Sequence, residues 1–217
     1  MRLLASCLLV FTLVGSACSA ELKSVAEPPS GLNAAIAKSL QPTGQQLVGD
    51  DGPICTVWLA KELPIKPDFK PSLNVKYPLL PGQLIGILRV DQASGYRDFR
   101  GQDVAAGVYT LRYGLQPVDG NHIGTSETYD FLLAIPAAVD TDPATIKSFE
   151  GVVGKSAKTT GSNHPAILSL LAPTADQKSP QLVHDESREF WIVSFSTTTA
   201  EAKPLPVRLI VVGVSEG

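Results

Sequence analysis

The stretch that most constrains this chain is Gly107 to Pro136, GVYTLRYGLQPVDGNHIGTSETYDFLLAIP. Its first arm alternates, with Tyr109, Leu111, Tyr113 and Leu115 on one face and Val108, Thr110, Arg112 and Gln116 on the other. The second arm repeats the pattern, with Tyr129, Phe131, Leu133 and Ile135 opposite Thr128, Asp130 and Ala134. Period-two alternation rich in aromatic and β-branched residues marks a strand with one buried face. Two such arms predict a long β-hairpin. The loop between them, Pro117 to Glu127, is longer than a tight turn requires and holds Asp119, Asn121, His122, Ser126 and Glu127, a candidate ligand-binding cluster.

Strand signals continue on both sides. Ile54 to Leu63, Gln83 to Val90, Ala166 to Leu171, Gln181 to His184, Glu189 to Thr197 and Pro206 to Val214 all favour extended backbone. Between the first two runs lies a crossing studded with Pro64, Pro67, Pro71, Pro78 and Pro81. Proline lacks a donor and fixes φ, so this crossing is expected to run extended over the surface rather than inside a sheet. Arg89, in an otherwise apolar run, is expected to pair with a carboxylate such as Asp98 or Asp130. Two helices are expected. Gly31 to Leu40 places Leu32, Ile36 and Leu40 on one stripe, although residues 21–50 also read as a tether. Asp142-Pro143 reads as an N-cap and first helical residue, with Ile146, Phe149 and Val153 on one face of a helix over about 142–154. Many short strands with a single capping helix predict a mainly β domain over 51–217, an antiparallel β-sandwich of jelly-roll or immunoglobulin-like type.

The first twenty residues have a different character. Arg2 precedes the apolar run Leu3 to Val14, and small residues follow from Gly15 to Ala20. That is the layout of an export signal and too short for a transmembrane helix. Two processing routes are open: cleavage after Ala20, or acylation of Cys18, with Gly15-Ser16-Ala17-Cys18 standing in for a lipobox. The first gives a periplasmic or extracellular protein, the second one tethered to the envelope by lipid. With Cys7 and Cys18 removed, Cys55 is left alone and reads as a small buried hydrophobe. The whole chain has 18 Lys and Arg against 21 Asp and Glu, a formal charge of −3, and losing Arg2 with the signal takes it to −4. With no basic cluster, a nucleic-acid partner is not expected.

Motifs that would carry chemistry are sparse. Gly151-Val152-Val153-Gly154-Lys155-Ser156 has two residues between its glycines where a phosphate-binding loop has four. No Gly-x-Ser-x-Gly, His-Glu-x-x-His or Cys-x-x-Cys occurs. The three histidines, His122, His164 and His184, fall in loops or at strand ends and, with Asp119 or Glu186, compose the ligand types that zinc or another transition metal takes. Converging, they would make a metal carrier or a metal-dependent enzyme. Scattered, they leave an exported non-catalytic module that binds a protein, glycan or small ligand, or an envelope structural subunit.

The phrases GVYTLRYGLQP at 107–117 and DGNHIGT at 119–125 resemble those of a family of exported β-sandwich proteins of environmental bacteria, over about Ile54 to the C-terminus. The resemblance implies export and a sandwich, and no chemistry.

Overall fold

The computed structural model describes residues 19–91, 95–117 and 126–215. Eleven strands are found among them: β1 Glu21–Ala26, β2 Thr43–Gly49, β3 Gly52–Leu59, β4 Glu62–Leu63, β5 Leu84–Val90, β6 Gly107–Leu115, β7 Asp130–Pro136, β8 Ala166–Leu171, β9 Gln181–Asp185, β10 Phe190–Thr199 and β11 Pro204–Val212. Two helices join them, α1 Ala34–Ser39 and α2 Phe149–Thr160. The hairpin expected from the alternation is β6 and β7, antiparallel from Tyr109↔Pro136 to Leu115↔Asp130.

The strands make one sheet in the order β1-β2-β3-β5-β6-β7-β8-β11-β10-β4, with β9 also on β10. All the pairings are antiparallel except β4 with β10. A sandwich has two sheets; here β8 passes from one half to the other. Its first residues pair with β7, from Ala166 to Ser169, and its last two, Leu170 and Leu171, pair with β11. At the far edge β4 continues directly from β3 and lies on Thr198 and Thr199 of β10, so the sheet rolls into a nearly closed barrel. Alternation alone does not distinguish a rolled sheet from two stacked ones, because both bury the same periodicity.

Rolling explains why so many strands are apolar on both faces. The interior packs Leu47, Val57, Leu88, Leu111, Tyr113, Leu132, Leu168, Val193 and Leu209. Outside, α2 packs over β7 and β8, and the apolar cluster there takes in Phe131, Leu133, Ile135 and Ile167 and extends to Phe99, Phe190, Ile192 and Ile210. On the opposite flank α1 brings Ile36 and Leu40 onto Trp58, Leu84 and Ile87. The expectation of one buried face per hairpin arm is therefore corrected. In β7 Leu132 and Ala134 point into the barrel, while Phe131, Leu133 and Ile135 pack outward under α2.

The proline-rich crossing is extended as expected, but it does more than skirt the surface. Tyr77 and Leu79 are fully buried in the barrel core. The Tyr77 hydroxyl donates to the Leu171 carbonyl at 2.7 Å and accepts the Arg208 N–H at 2.9 Å, pinning the corner where β8 meets β11. Residues 21–50 are no free tether: β1 pairs with β2 along its whole length, Glu21↔Val48 to Ala26↔Thr43, and β2 pairs with β3. Between them α1 falls inside the expected helical stretch, capped by the Asn33 side chain on the Ala35 N–H.

The second helix is displaced from its expected start. It begins after Ser148, whose hydroxyl accepts the Gly151 N–H at 3.1 Å, runs on through Gly154, and ends at Gly161 in the left-handed region. Asp142 caps only a local turn, accepting the Ala144 N–H at 2.9 Å. The segment before the helix is held open by Arg112. This guanidinium is wholly buried and uses all five N–H groups: on both Asp140 carboxylate oxygens, at 2.8 and 3.0 Å, and on the carbonyls of Gly82, Asp142 and Ala144. The Ile146 N–H, which a helix capped by Asp142 would give to the Asp142 carbonyl, goes instead to the Gly82 carbonyl at 3.1 Å. The buried ion pair of this fold is therefore Arg112–Asp140. Arg89 pairs instead with Asp91 at 2.5 Å, over the ring of Trp58, which corrects the expectation of Asp98 or Asp130.

Candidate functional site

Of the site candidates from the sequence, the described ones are held in different parts of the fold, with His164 before β8 and His184 in β9. Asp119, Asn121 and His122 lie outside the described residues. Ser126 and Glu127 are tied into the fold. The Ser126 hydroxyl donates to the Asp130 carbonyl at 2.7 Å and lies 2.8 Å from the Ser169 hydroxyl. The Glu127 N–H reaches Ser169, and its carboxylate pairs with Arg188 at 2.5 Å. His164 is exposed in the loop between α2 and β8. His184 is in β9, its ring stacked on Trp191 at 4.0 Å and 6°, with Nε2 3.6 Å from the Glu189 carboxylate. Glu186 is exposed in the turn that follows. Strands β11 and β10 intervene between β8 and β9. Three strand spacings, roughly 14 Å, thus part His164 from His184, and the two do not share an ion. Among the described residues no group of three or more His, Cys, Asp or Glu side chains is placed to hold a metal.

Buried polar residues that would suggest catalysis are occupied structurally. Asp130 accepts from the Tyr113 hydroxyl at 2.5 Å, the N–H groups of Lys76 and Tyr77, and Thr128. Burial, with Asp130 adjacent, pushes the Tyr113 phenol far above its usual range, and Tyr77 is raised by its own burial. Cys55, inside the barrel, has its thiol pushed up to about 12, first by burial and then by the charge of Asp91. A thiol held neutral to that degree is not a nucleophile at physiological pH.

Among the described residues, three clefts on the outside are told apart by the state of their charges. The first, about 350 Å³, contains Arg97 and Arg188, which are paired with Asp103 and with Glu127 and Asp185. A second, broad cleft of about 580 Å³ alternates Lys66, Lys76 and Lys203 with Asp68 and Glu201. The third, about 190 Å³, lies between α2 and the outer face of β7 and β8. Its floor is Phe131, Leu133 and Ile167, its walls Phe149 and Val153, and Arg100, Asn163 and His164 stand at its mouth.

That third cleft is built from firmly held parts. Helix α2 is fastened by Ser156 and Thr159, whose hydroxyls donate to the Ala134 carbonyl at 2.7 and 2.9 Å, and the Ala166 N–H donates back to Ser156 at 3.0 Å. The turn bearing Arg100 is organised by the buried carboxylate of Asp98. It accepts the N–H groups of Arg100, Gln102 and Ile167 at 3.0, 2.7 and 3.0 Å, and the Gln102 amide at 2.9 Å. Gln102 reaches on to the Pro165 carbonyl and accepts from Ser162, so the loop bearing His164 is attached to the same hub.

Compared with known protein families, curated proteins and solved structures, the chain finds no match. Its function is therefore argued from its own geometry. The sequence signals for the pocket were present but dispersed: Phe149 on a helical stripe, and Arg100 and His164 near turn residues 64 positions apart (164 − 100).

Proposed function

We propose that this chain is an exported, non-catalytic binding module that takes a small ligand in the pocket beneath α2. The pocket carries the reading. It is concave, apolar and rigidly framed, and a few polar groups converge on its mouth, which is the usual composition of a ligand site. At about 190 Å³ it is slightly larger than the 150 Å³ apolar cavity that accepts benzene in an engineered core, so it suits a ring or a branched chain rather than a large cofactor. Phe149, 43% exposed, forms a wall that a ligand would cover.

Export rests on the leader-like first twenty residues, and the start of β1 favours the soluble route. Cleavage after Ala20 leaves β1 whole from Glu21. An acylated Cys18 would leave only Ser19 and Ala20 between the lipid and the barrel, because residues 21–50 belong to the sheet.

Both parts are tested on protein expressed from the full gene in a bacterial host. The chain recovered from the periplasm is expected to begin at Glu21 by mass spectrometry; retention of an unprocessed chain in the cytoplasm would overturn the export reading. In methyl NMR spectra, benzyl alcohol is expected to shift Leu133, Val153 and Ile167, and Val153→Trp, which fills the pocket, is expected to abolish those shifts. Methyls that stay still in the unmodified protein would overturn the pocket reading.

A further inference from the structure

We propose that the pocket selects small carboxylates with an apolar body, Arg100 holding the carboxylate at the mouth while Phe131, Leu133, Ile167 and Phe149 enclose the body. This rests on the reading of the pocket as the binding site and adds the chemical class of its occupant.

The charge at the mouth is cationic and uncommitted. Among the described residues the Arg100 guanidinium has no ion-pair or hydrogen-bond partner, and neither the Asn163 amide nor the His164 ring is engaged; the backbones of Arg100 and His164 are anchored. This sets the pocket apart from the 350 Å³ cleft, where Arg97 and Arg188 already hold carboxylates from the chain itself. Arginine presents a planar fork that matches a carboxylate with two parallel hydrogen bonds. An imidazole and a side-chain amide beside it add donors of the same polarity.

Position follows from the Asp98 hub. The tight turn Asp98–Gly101, closed by the Gly101 N–H on the Asp98 carbonyl at 3.0 Å, fixes the Arg100 backbone at the edge of the pocket, and Gly101 takes the positive φ of 80° that closure needs. Gln102 joins this turn to the His164 loop, so both sides of the mouth are set before a ligand arrives. Preorganisation of this kind lowers the ordering cost of binding. The floor is fully apolar and returns no hydrogen bond to a polar ligand body. An occupant that satisfies both halves has one anionic end and one apolar end, separated by a short link.

The test compares 3-phenylpropionate with its neutral counterpart, 3-phenylpropan-1-ol, by isothermal titration calorimetry on the processed chain. The carboxylate is expected to bind on the order of tenfold more tightly than the alcohol, a margin that shrinks with added salt because the mouth is exposed. Arg100→Gln is expected to remove that margin and leave the alcohol's affinity unchanged. Equal affinities for the two probes, or a margin that survives Arg100→Gln, would overturn carboxylate selection while the pocket stands. If neither probe binds, and Val153→Trp changes nothing, the pocket reading itself is overturned.

Discussion

Replacing Arg112 with Met tests the central mechanical claim about this barrel. Arg112 is wholly buried and its five N–H groups are all committed: two to Asp140, itself 1% exposed, and three to the carbonyls of Gly82, Asp142 and Ala144. Met matches much of the side-chain length and none of the donors. The loss leaves a buried carboxylate with only the Thr110 hydroxyl and, 4.0 Å away, Lys155. Removing one partner of a buried ion pair costs about 3–5 kcal/mol, and each orphaned buried carbonyl adds about 1 kcal/mol unless water reaches it. The segment 140–146 can swing out and hydrate its carbonyls, so the expected total is about 4–5 kcal/mol, a large part of a domain's 5–15 kcal/mol. At about 2–4 °C per kcal/mol for a chain of this size, the melting temperature should fall by roughly 10–20 °C. Urea unfolding followed by circular dichroism gives the free energy. Hydrogen exchange at the Ile146 amide, bonded to the Gly82 carbonyl, reports whether the strap lifts first. Adding Asp140→Leu removes the stranded charge, and the double variant should recover at least about 2 kcal/mol relative to the sum of the single changes. A loss below about 1 kcal/mol for Arg112→Met, or strict additivity of the two changes, would refute the claim that the pair latches the strap to the sheet.

Two further outcomes follow from titratable groups. Cys55, its thiol raised to about 12 by burial, should resist Ellman's reagent at pH 8 in the folded protein and react at once in denaturant; rapid labelling of the native state would contradict its place in the core. Asp185 is held below the usual carboxylate range, first by the Ser187 hydroxyl and then by Arg188, so its support of the β9–β10 turn is present above the unfolded carboxylate range and is lost as pH falls through its lowered value. Carboxyl NMR titration should show this depression, and Ser187→Ala should move the midpoint upward; an unchanged midpoint would assign the effect to Arg188 alone.

How much of this was legible in the sequence depends on which interactions are local. The hairpin of β6 and β7 was, because period-two alternation is written residue by residue. So was the extended path of the proline-rich crossing, which proline imposes directly. Closure of the sheet was not, since it rests on β8 changing partners between Ser169 and Leu170, and no local pattern records a change of partner. The helix start was misplaced for a similar reason. Asp142-Pro143 is a good local N-cap, but the Ile146 N–H that a helix there would turn back on Asp142 goes to the Gly82 carbonyl of a distant segment, and Ser148 becomes the cap. Of the site, His164 was picked out only as a candidate metal ligand, and Arg100 only as a polar residue beside a turn. What joins them is the Asp98–Gln102 hub, which exists only once β8 lies beside the turn at 98–101.

The division between buried and open polar groups is what favours the proposed pocket over the rest of the surface. Several buried polar groups sit where the rolled sheet changes direction or takes up a connection. Tyr77 pins the β8–β11 corner, Asp98 joins a turn to β8, Arg112 latches the strap before α2, and Thr197 donates to the Ala60 carbonyl where β3 passes into β4. Such groups are closed to chemistry because their hydrogen-bonding capacity is filled, and filling it is what makes their burial tolerable. A ligand must therefore be met by groups that the fold does not consume. Among the clefts formed by the described residues, the first has its arginines neutralised by the chain's own carboxylates, and the broad lysine cleft interleaves both signs. The pocket under α2 combines an apolar interior with a guanidinium, Arg100, that has no partner among the described residues, and the small apolar carboxylate we propose as its ligand would use both.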